Sequence, residues 1–379
     1  MIIFFITFFT LYGLLHVNFF FRLKKAIGSM NFFAQLALII ILFILWLSPF
    51  LIRILERKGY ETPVEFLAWI GYVWMAFVFL FFFFSIVLDL LRIGIYLAKK
   101  ISVIDYSQPF INNKNAFILN FILCSILIFY GYLEAKNIRV KPIEIHSEKV
   151  TREVKIIQIS DLHLGLIVRE ARLKKVTEQI RQFNPHIIVS TGDLVDGQLD
   201  KIEPLSELFK ELTPAFGKYA ILGNHEVYAG LERAVKFTEM SGFKILRNEG
   251  IHIKELNLNI IGVDDNTVLG VRPDETFSLE MELLKKFKGT SFNIFLKHRP
   301  LIRDDISKLF DLQLSGHTHG GQLFPFSLIT RLYYLNHNSL LKLPSGSYLY
   351  TSSGTGTWGP PIRIGSSPEI TFIVIKPTR

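Results

Sequence analysis

The chain has 379 residues, half of them hydrophobic and 14% aromatic, with a mean hydropathy of +0.35 and a formal charge of +9. That length allows two or three domains, and the composition excludes a mainly disordered chain. A single cysteine, Cys124, excludes an intrachain disulfide framework and a zinc finger. The charge excess is N-terminal: 14 Lys and Arg face 8 Asp and Glu up to Lys149, against 28 and 25 beyond it. No nucleic-acid partner is therefore expected.

Four runs carry no charged side chain: Met1 to Phe21, Phe32 to Ile52, Phe66 to Leu88 and Ala116 to Leu133. About 20 apolar residues at 1.5 Å rise cross a hydrocarbon core of about 30 Å, so four transmembrane helices are predicted. Phe79-Leu80-Phe81-Phe82-Phe83-Phe84 is apolar all round, unlike a surface helix of a soluble protein. The first run lacks a basic region ahead of it and is expected to be retained rather than cleaved. Arg92, Lys99 and Lys100 share one helical face, which fits either a basic helix in the headgroup region or an extension of the third span. Loop Lys and Arg divide seven to seven between the two sides, so the side of the membrane holding the C-terminal part stays open. His16, inside the first span, is expected to be structural.

From about Val150 short β-branched runs alternate with amphipathic stretches, the pattern of a layered α/β domain. Strands are predicted over Val154–Ser160, Ile187–Thr191, Tyr219–Leu222, Ile260–Val263, Asn293–Lys297, Leu312–Ser315, Tyr348–Thr351 and Ile370–Ile375. Apolar positions three and four apart predict helices over Glu170–Phe183, Pro204–Leu212, Leu231–Met240 and Leu279–Phe287. The expected organisation is a transmembrane region over 1–133, a linker over 134–150 and a catalytic-type domain over 151–379.

Polar clusters follow the strands in order: Asp161-Leu162-His163, Gly192-Asp193-Leu194-Val195-Asp196, Gly223-Asn224-His225-Glu226, His298, and Gly316-His317-Thr318-His319. Carboxylates, an amide oxygen and several imidazoles make a donor set for first-row divalent ions, and without a thiolate they do not make a structural zinc site. If the backbone is extended, Asp161 and His163, like His317 and His319, point the same way and can approach one centre.

These five clusters, in this order, resemble the calcineurin-like metallophosphoesterase superfamily. The strings Ser160-Asp161-Leu162-His163-Leu164-Gly165, Ser315-Gly316-His317-Thr318-His319-Gly320-Gly321-Gln322 and Gly356-Thr357-Trp358-Gly359-Pro360-Pro361-Ile362-Arg363 resemble its bacterial membrane-associated branch. The resemblance implies an α/β fold in which the four-helix transmembrane region precedes a two-sheet β-sandwich with flanking helices. It implies two divalent metal ions, Mn, Fe or Zn. Asp161, His163 and His319 would hold the first, Asn224, His298 and His317 the second, and Asp193 would bridge them. His225 would be the catalytic acid, with Glu226 able to orient it. The expected activity is hydrolysis of a phosphate ester or diphosphate by metal-bound hydroxide in a multi-pass cell membrane protein. Substrates of the UDP-2,3-diacylglucosamine type are among those implied; separately, the short connection from Leu133 to the strand at Val154 keeps the site near the bilayer and predicts a lipid-linked or amphiphilic phosphate ester. Asp196-Gly197 stands where protein phosphatases carry an arginine, which disfavours that substrate class. Arg363 and, less so, Arg299 are candidates to grip phosphate; Trp358 is expected to be a packed loop residue. The alternative is a membrane receptor or scaffold whose phosphoesterase domain binds ligand without turnover.

Overall fold

The computed structural model describes residues 2–101, 111–197 and 202–378. The chain divides into two compact units, 1–132 with 360–362, and 133–359 with 363–379. The first contains α1 (Ile2–Ile27), α2 (Phe32–Arg57), α3 (Glu61–Ile101) and most of α4 (Asn113–Lys136). All four are long and apolar enough to cross a membrane. Their polar groups find partners inside the bundle, as a medium without water demands. His16 is buried, with Nδ1 at 2.8 Å from Tyr12 O and Nε2 accepting from Trp74 Nε1 at 2.8 Å. Asn120 donates to Phe81 O and Ser85 Oγ, each at 2.9 Å, and Arg22 pairs with Asp89. His16 is thus structural. The 41 residues of α3 extend roughly 60 Å, about twice the hydrocarbon thickness, so Arg92, Lys99 and Lys100 ride on one continuous helix.

In the second unit the elements are β1 (Arg139–Ser147), β2 (Val154–Ile159), α5 (Glu170–Gln182), β3 (Ile187–Ser190), α6 (Ser206–Lys210), β4 (Lys218–Ala220), α7 (Asn224–Ala229), α8 (Leu231–Met240) and β5 (Lys244–Ile245). There follow β6 (Glu249–Ile253), β7 (Leu258–Gly262), α9 (Asn266–Leu269), α10 (Pro273–Lys286), β8 (Phe292–Leu296), α11 (Asp304–Ser307), β9 (Leu312–Ser315), α12 (Phe326–Tyr333), β10 (Leu340–Lys342), β11 (Tyr348–Thr351) and β12 (Glu369–Pro377). They form two six-stranded sheets, ordered β1-β12-β2-β3-β4-β5 and β10-β11-β9-β8-β7-β6. Strands β2 to β5 are parallel, as are β7, β8, β9 and β11.

Alternation along the strands builds three apolar layers. Val154 and Ile156 of β2 face the inter-sheet core with Ile260, Ile294, Leu312 and Leu314, while Ile157 and Ile159 turn outward under Leu173, Val176 and Ile180 of α5. On the other sheet Ile261, Phe295 and Leu349 pack beneath Leu283 and Leu284 of α10. The stretch expected as a linker, 134–150, contains strand β1 instead, pairing in parallel with β12 from Arg139 opposite Glu369 to Ser147 opposite Pro377. Ile143 and Ile145 enter the core from an edge position, where Pro142 needs no ladder donor. Only Asn137 and Ile138 separate α4 from β1.

Candidate metal centre

The clusters lie beyond the carboxyl ends of their strands: Asp161 and His163 after β2, Asp193 after β3, Asn224 and His225 where β4 leads into α7, His298 after β8, and His317 and His319 after β9. Open α/β sheets place ligands there because loops converge without disturbing the core. Asp161, His163 and His319 bring ligand atoms within 4.8 Å of one another, and so do Asp193, His298 and His317. His163 Nε2 lies 3.0 Å from His319 Nε2 and 3.8 Å from Asp193 Oδ2, the carboxylate oxygen that is also 3.2 Å from His298 Nε2. His298 Nε2 is in turn 3.2 Å from Asn224 Oδ1 and 3.1 Å from His317 Nδ1. Asp193 therefore stands between two donor groups, and all seven residues named as ligands from the sequence meet in one place.

The backbone reaches this arrangement differently from the extended pairs inferred above. Asp161, His163, Asp193, His317 and His319 all have positive φ, between 50° and 69°. A non-glycine residue there costs of order 1 kcal/mol or more, so five together mark a site whose surroundings over-determine it. The glycines permit the approach: a Cβ on Gly223 would meet Asp193 Oδ1, and one on Gly316 would meet the Asp161 carboxylate. Backbone amides then fix the carboxylates. Asp161 accepts from the His317 N–H at 2.9 Å, and Asp193 from the His225 N–H at 2.8 Å. His298 Nδ1 lies 2.8 Å from Thr191 O, so it donates there and turns Nε2 to the cluster.

Glu226 does not orient His225. Its carboxylate accepts from the backbone N–H groups of Gly223, Asp193 and Leu194, at 2.8, 3.0 and 2.7 Å, tying the β3 and β4 loops together. The partner of His225 is Asp196, with Nδ1 to Oδ1 at 2.9 Å. Burial disfavours a charged His225, but the carboxylates of Asp193 and Asp196 outweigh it and raise its pKa to about 9. His298 behaves likewise: burial opposes its charge, yet Asp193 raises it to about 10. Burial and the positive charge at His225 push His163 down to about 4. Burial, with His298 and Arg299 beside it, holds His317 well below its usual value, and burial with His163 does the same for His319.

Arg363 is not placed to grip a substrate. It is fully buried and donates to the carbonyls of His319, Ser353 and Gly356 at 2.7 to 2.8 Å, bracing the loop behind His319. Arg363 Nη2 also lies 3.2 Å from His319 Nδ1, but Arg299, 22% exposed, is the arginine with access to solvent: Nε donates to Asp265 Oδ2 at 2.7 Å, and Nη1 lies 3.2 Å from His317 Nε2. Trp358 is half exposed rather than packed, its ring 5.6 Å from that of His225. Tyr228, also half exposed, lies 5.1 Å from His225, and Tyr334 lies 5.9 Å from His317. Asp196, Asp265 and the two tyrosines were not singled out in the sequence. Asp196 alone had a signal, its fixed place in the Asp193 motif. His186 accepts from Lys155 N and His252 pairs with Asn259, so both are structural.

The family model for calcineurin-like phosphoesterases matches residues 154–321, which include every one of these donors. An uncharacterized metallophosphoesterase of Aquifex aeolicus is 40% identical over 252 residues, 65% of this chain and 95% of its own length. The chain belongs to the metallophosphoesterase family. Such proteins are metal-dependent phosphoester hydrolases with dimetal centres. An uncharacterized metallophosphoesterase of Campylobacter jejuni is 27% identical over 97% of this chain and 96% of its own, a match that takes in the apolar helices. A zebrafish protein named transmembrane protein with metallophosphoesterase domain is 31% identical over 68% of this chain and 62% of its own.

Proposed function

We propose that this chain is a multi-pass cell membrane enzyme whose C-terminal unit uses two divalent ions to hydrolyse a phosphate ester or diphosphate. The observation that carries the reading is the convergence of six oxygen and nitrogen donor residues around the Asp193 carboxylate. The donor chemistry fits: neutral His163, His317 and His319 offer lone pairs, and carboxylate with imidazole suits Mn, Fe or Zn. Asp161, His163 and His319 would hold one ion, Asn224, His298 and His317 the other, with Asp193 shared. When bound, such a pair supplies Lewis acidity toward the phosphoryl oxygens and a nucleophile from water at neutral pH.

The protein's own residues supply the rest. Asp196 holds the His225 Nδ1–H, which leaves Nε2 to carry the proton given to the leaving oxygen, a contribution of typically 10² to 10⁴. Arg299 Nη1 donates to His317 Nε2 at 3.2 Å, which sets a guanidinium beside the centre where it can turn to a phosphoryl oxygen. The junction of two residues between α4 and β1 favours a substrate already held at the bilayer, such as a lipid-linked phosphate or diphosphate.

The test is metal analysis of the detergent-solubilised full chain, with turnover measured on phosphomonoesters, phosphodiesters and acylated diphosphates. Two ions per chain with divalent-dependent turnover is the expected result. Bound metal and inorganic phosphate without turnover of any ester would replace it with the receptor or scaffold reading.

A further inference from the structure

Helix α12 is built inside out. Ser327 and Thr330, one turn apart, are its buried positions, and Thr330 Oγ1 donates to Ser327 O at 2.9 Å. Its apolar side chains face outward: Phe326, Leu328, Ile329, Tyr333 and Leu332 are 48%, 49%, 56%, 71% and 89% exposed. Leu335 just beyond is 77% exposed. A surface helix of a globular protein buries its apolar stripe and shows its polar one, so this reversal needs an apolar environment outside the protein. The pattern is not an isolated leucine on a polar face but five large side chains on two turns.

The charge around the helix narrows the occupant. No Asp or Glu occurs between Asp311 and Glu369, whereas Arg331 within the helix and Lys342 after it are exposed cations. An apolar face on a helix that also carries an exposed arginine and no carboxylate suits an anionic lipid surface, with the apolar side chains among the acyl chains and Arg331 at the headgroups. The chain also keeps a bilayer within reach, since α4 joins β1 through Asn137 and Ile138 alone.

We infer that α12 docks on an anionic bilayer surface, inserting Phe326, Ile329 and Leu332. The inference rests on the reading of the apolar helices as membrane spans and not on catalysis. Its functional consequence follows from chain order: His319 is succeeded by Gly320 to Pro325 and then by α12, so docking sets the metal-ligand loop beside the headgroups. An ester on a lipid headgroup would then reach His317 and His319 without leaving the membrane.

Fluorophores attached to Leu332→Cys or Ile329→Cys in the full chain, reconstituted in phosphatidylethanolamine and phosphatidylglycerol vesicles, test this directly. Ile40→Cys in α2 serves as the lipid reference and Lys308→Cys as the water reference; the unsubstituted chain, whose Cys124 is buried, is the labelling blank. The labels at 332 and 329 should lose fluorescence to nitroxide-bearing lipid and resist iodide, as at position 40, and Arg331→Glu with Lys342→Glu should reverse this. Labels at 332 and 329 that follow position 308 while position 40 follows the lipid would overturn the docking and leave the spans intact. A label at 40 that follows water would remove the spans and the docking together. Protection that appears only at high protein-to-lipid ratio would make a second copy the occupant and overturn it as well.

Discussion

Asp196→Asn separates the proton donor from the metal centre. Asp196 is no member of the donor clusters, and its carboxylate bonds to the His225 Nδ1–H at 2.9 Å. A close opposite charge raises a histidine by about 1 to 3 pKa units, so losing one of the two carboxylates that lift His225 to about 9 should lower it by roughly 1 to 2. The protonated form is the active one, so activity is present below the folded pKa and is lost as pH rises through it. Bound cations lower that pKa in both proteins, so the informative quantity is the displacement of the alkaline limb in the variant relative to the parent. We expect the limb to move down by roughly 1 to 2 pH units, and kcat at the optimum to fall on the order of 10² as the tautomer lock weakens. Metal content should stay at two ions. Profiles of kcat against pH, with metal analysis of the same samples, decide it: an unmoved limb with full metal would refute the pairing, and lost metal would make Asp196 a support of the centre instead.

Other substitutions probe the remaining roles. Asp193→Asn should empty both metal sites together and abolish turnover, because one carboxylate oxygen faces both donor groups; retention of one ion on metal analysis would contradict the shared position. His225→Asn should keep both ions and slow alkyl phosphate esters by roughly 10² or more, with a smaller loss on p-nitrophenyl esters, whose leaving group needs less protonation. Equal losses would argue against proton donation. Arg299→Gln should raise KM and weaken inhibition by inorganic phosphate while changing kcat less, and the reverse split would move Arg299 from binding to chemistry.

Much of the site was legible because its residues sit in short motifs after strands, and strand ends are where an α/β sheet gathers its loops. The departures have physical causes. Strand β1 carries Arg139, Lys141, Pro142 and Glu144, which read as linker, and only the edge position beside β12 makes them a strand. Glu226 adjoins His225 in sequence whereas Asp196 lies 29 residues earlier in another motif, and no sequence pattern tells a backbone brace from an imidazole partner. Arg363 looks like any loop arginine until the carbonyls of His319, Ser353 and Gly356 are found around it. Helix α12 escapes a search for buried apolar faces because its apolar residues point away from the protein.

The charge balance of the site makes a last prediction. Asp161, Asp193 and Glu226 bury three carboxylates within one cluster of loops, Asp196 adds a fourth that is partly exposed, and Asp265 nearby is answered by Arg299. Two divalent cations match four carboxylates; without them, protons must serve. That accounts for the pattern in the metal-free chain, where burial raises Asp161 to about 6, and His298 and His225, despite burial, are raised by Asp193 to about 10 and about 9. His298 cannot stay protonated and ligate, so metal loading at pH 7 should release at least one proton. Calorimetry in buffers of different ionisation enthalpy measures that number, and no buffer dependence would refute the exchange. The same protons set stability. A histidine raised on folding contributes fully below its unfolded pKa, near 6.5, and the contribution is lost as pH rises through about 9 and about 10. The thermal midpoint of the metal-free chain should therefore fall across that window, while the loaded chain, in which a cation replaces the His298 proton, should fall less.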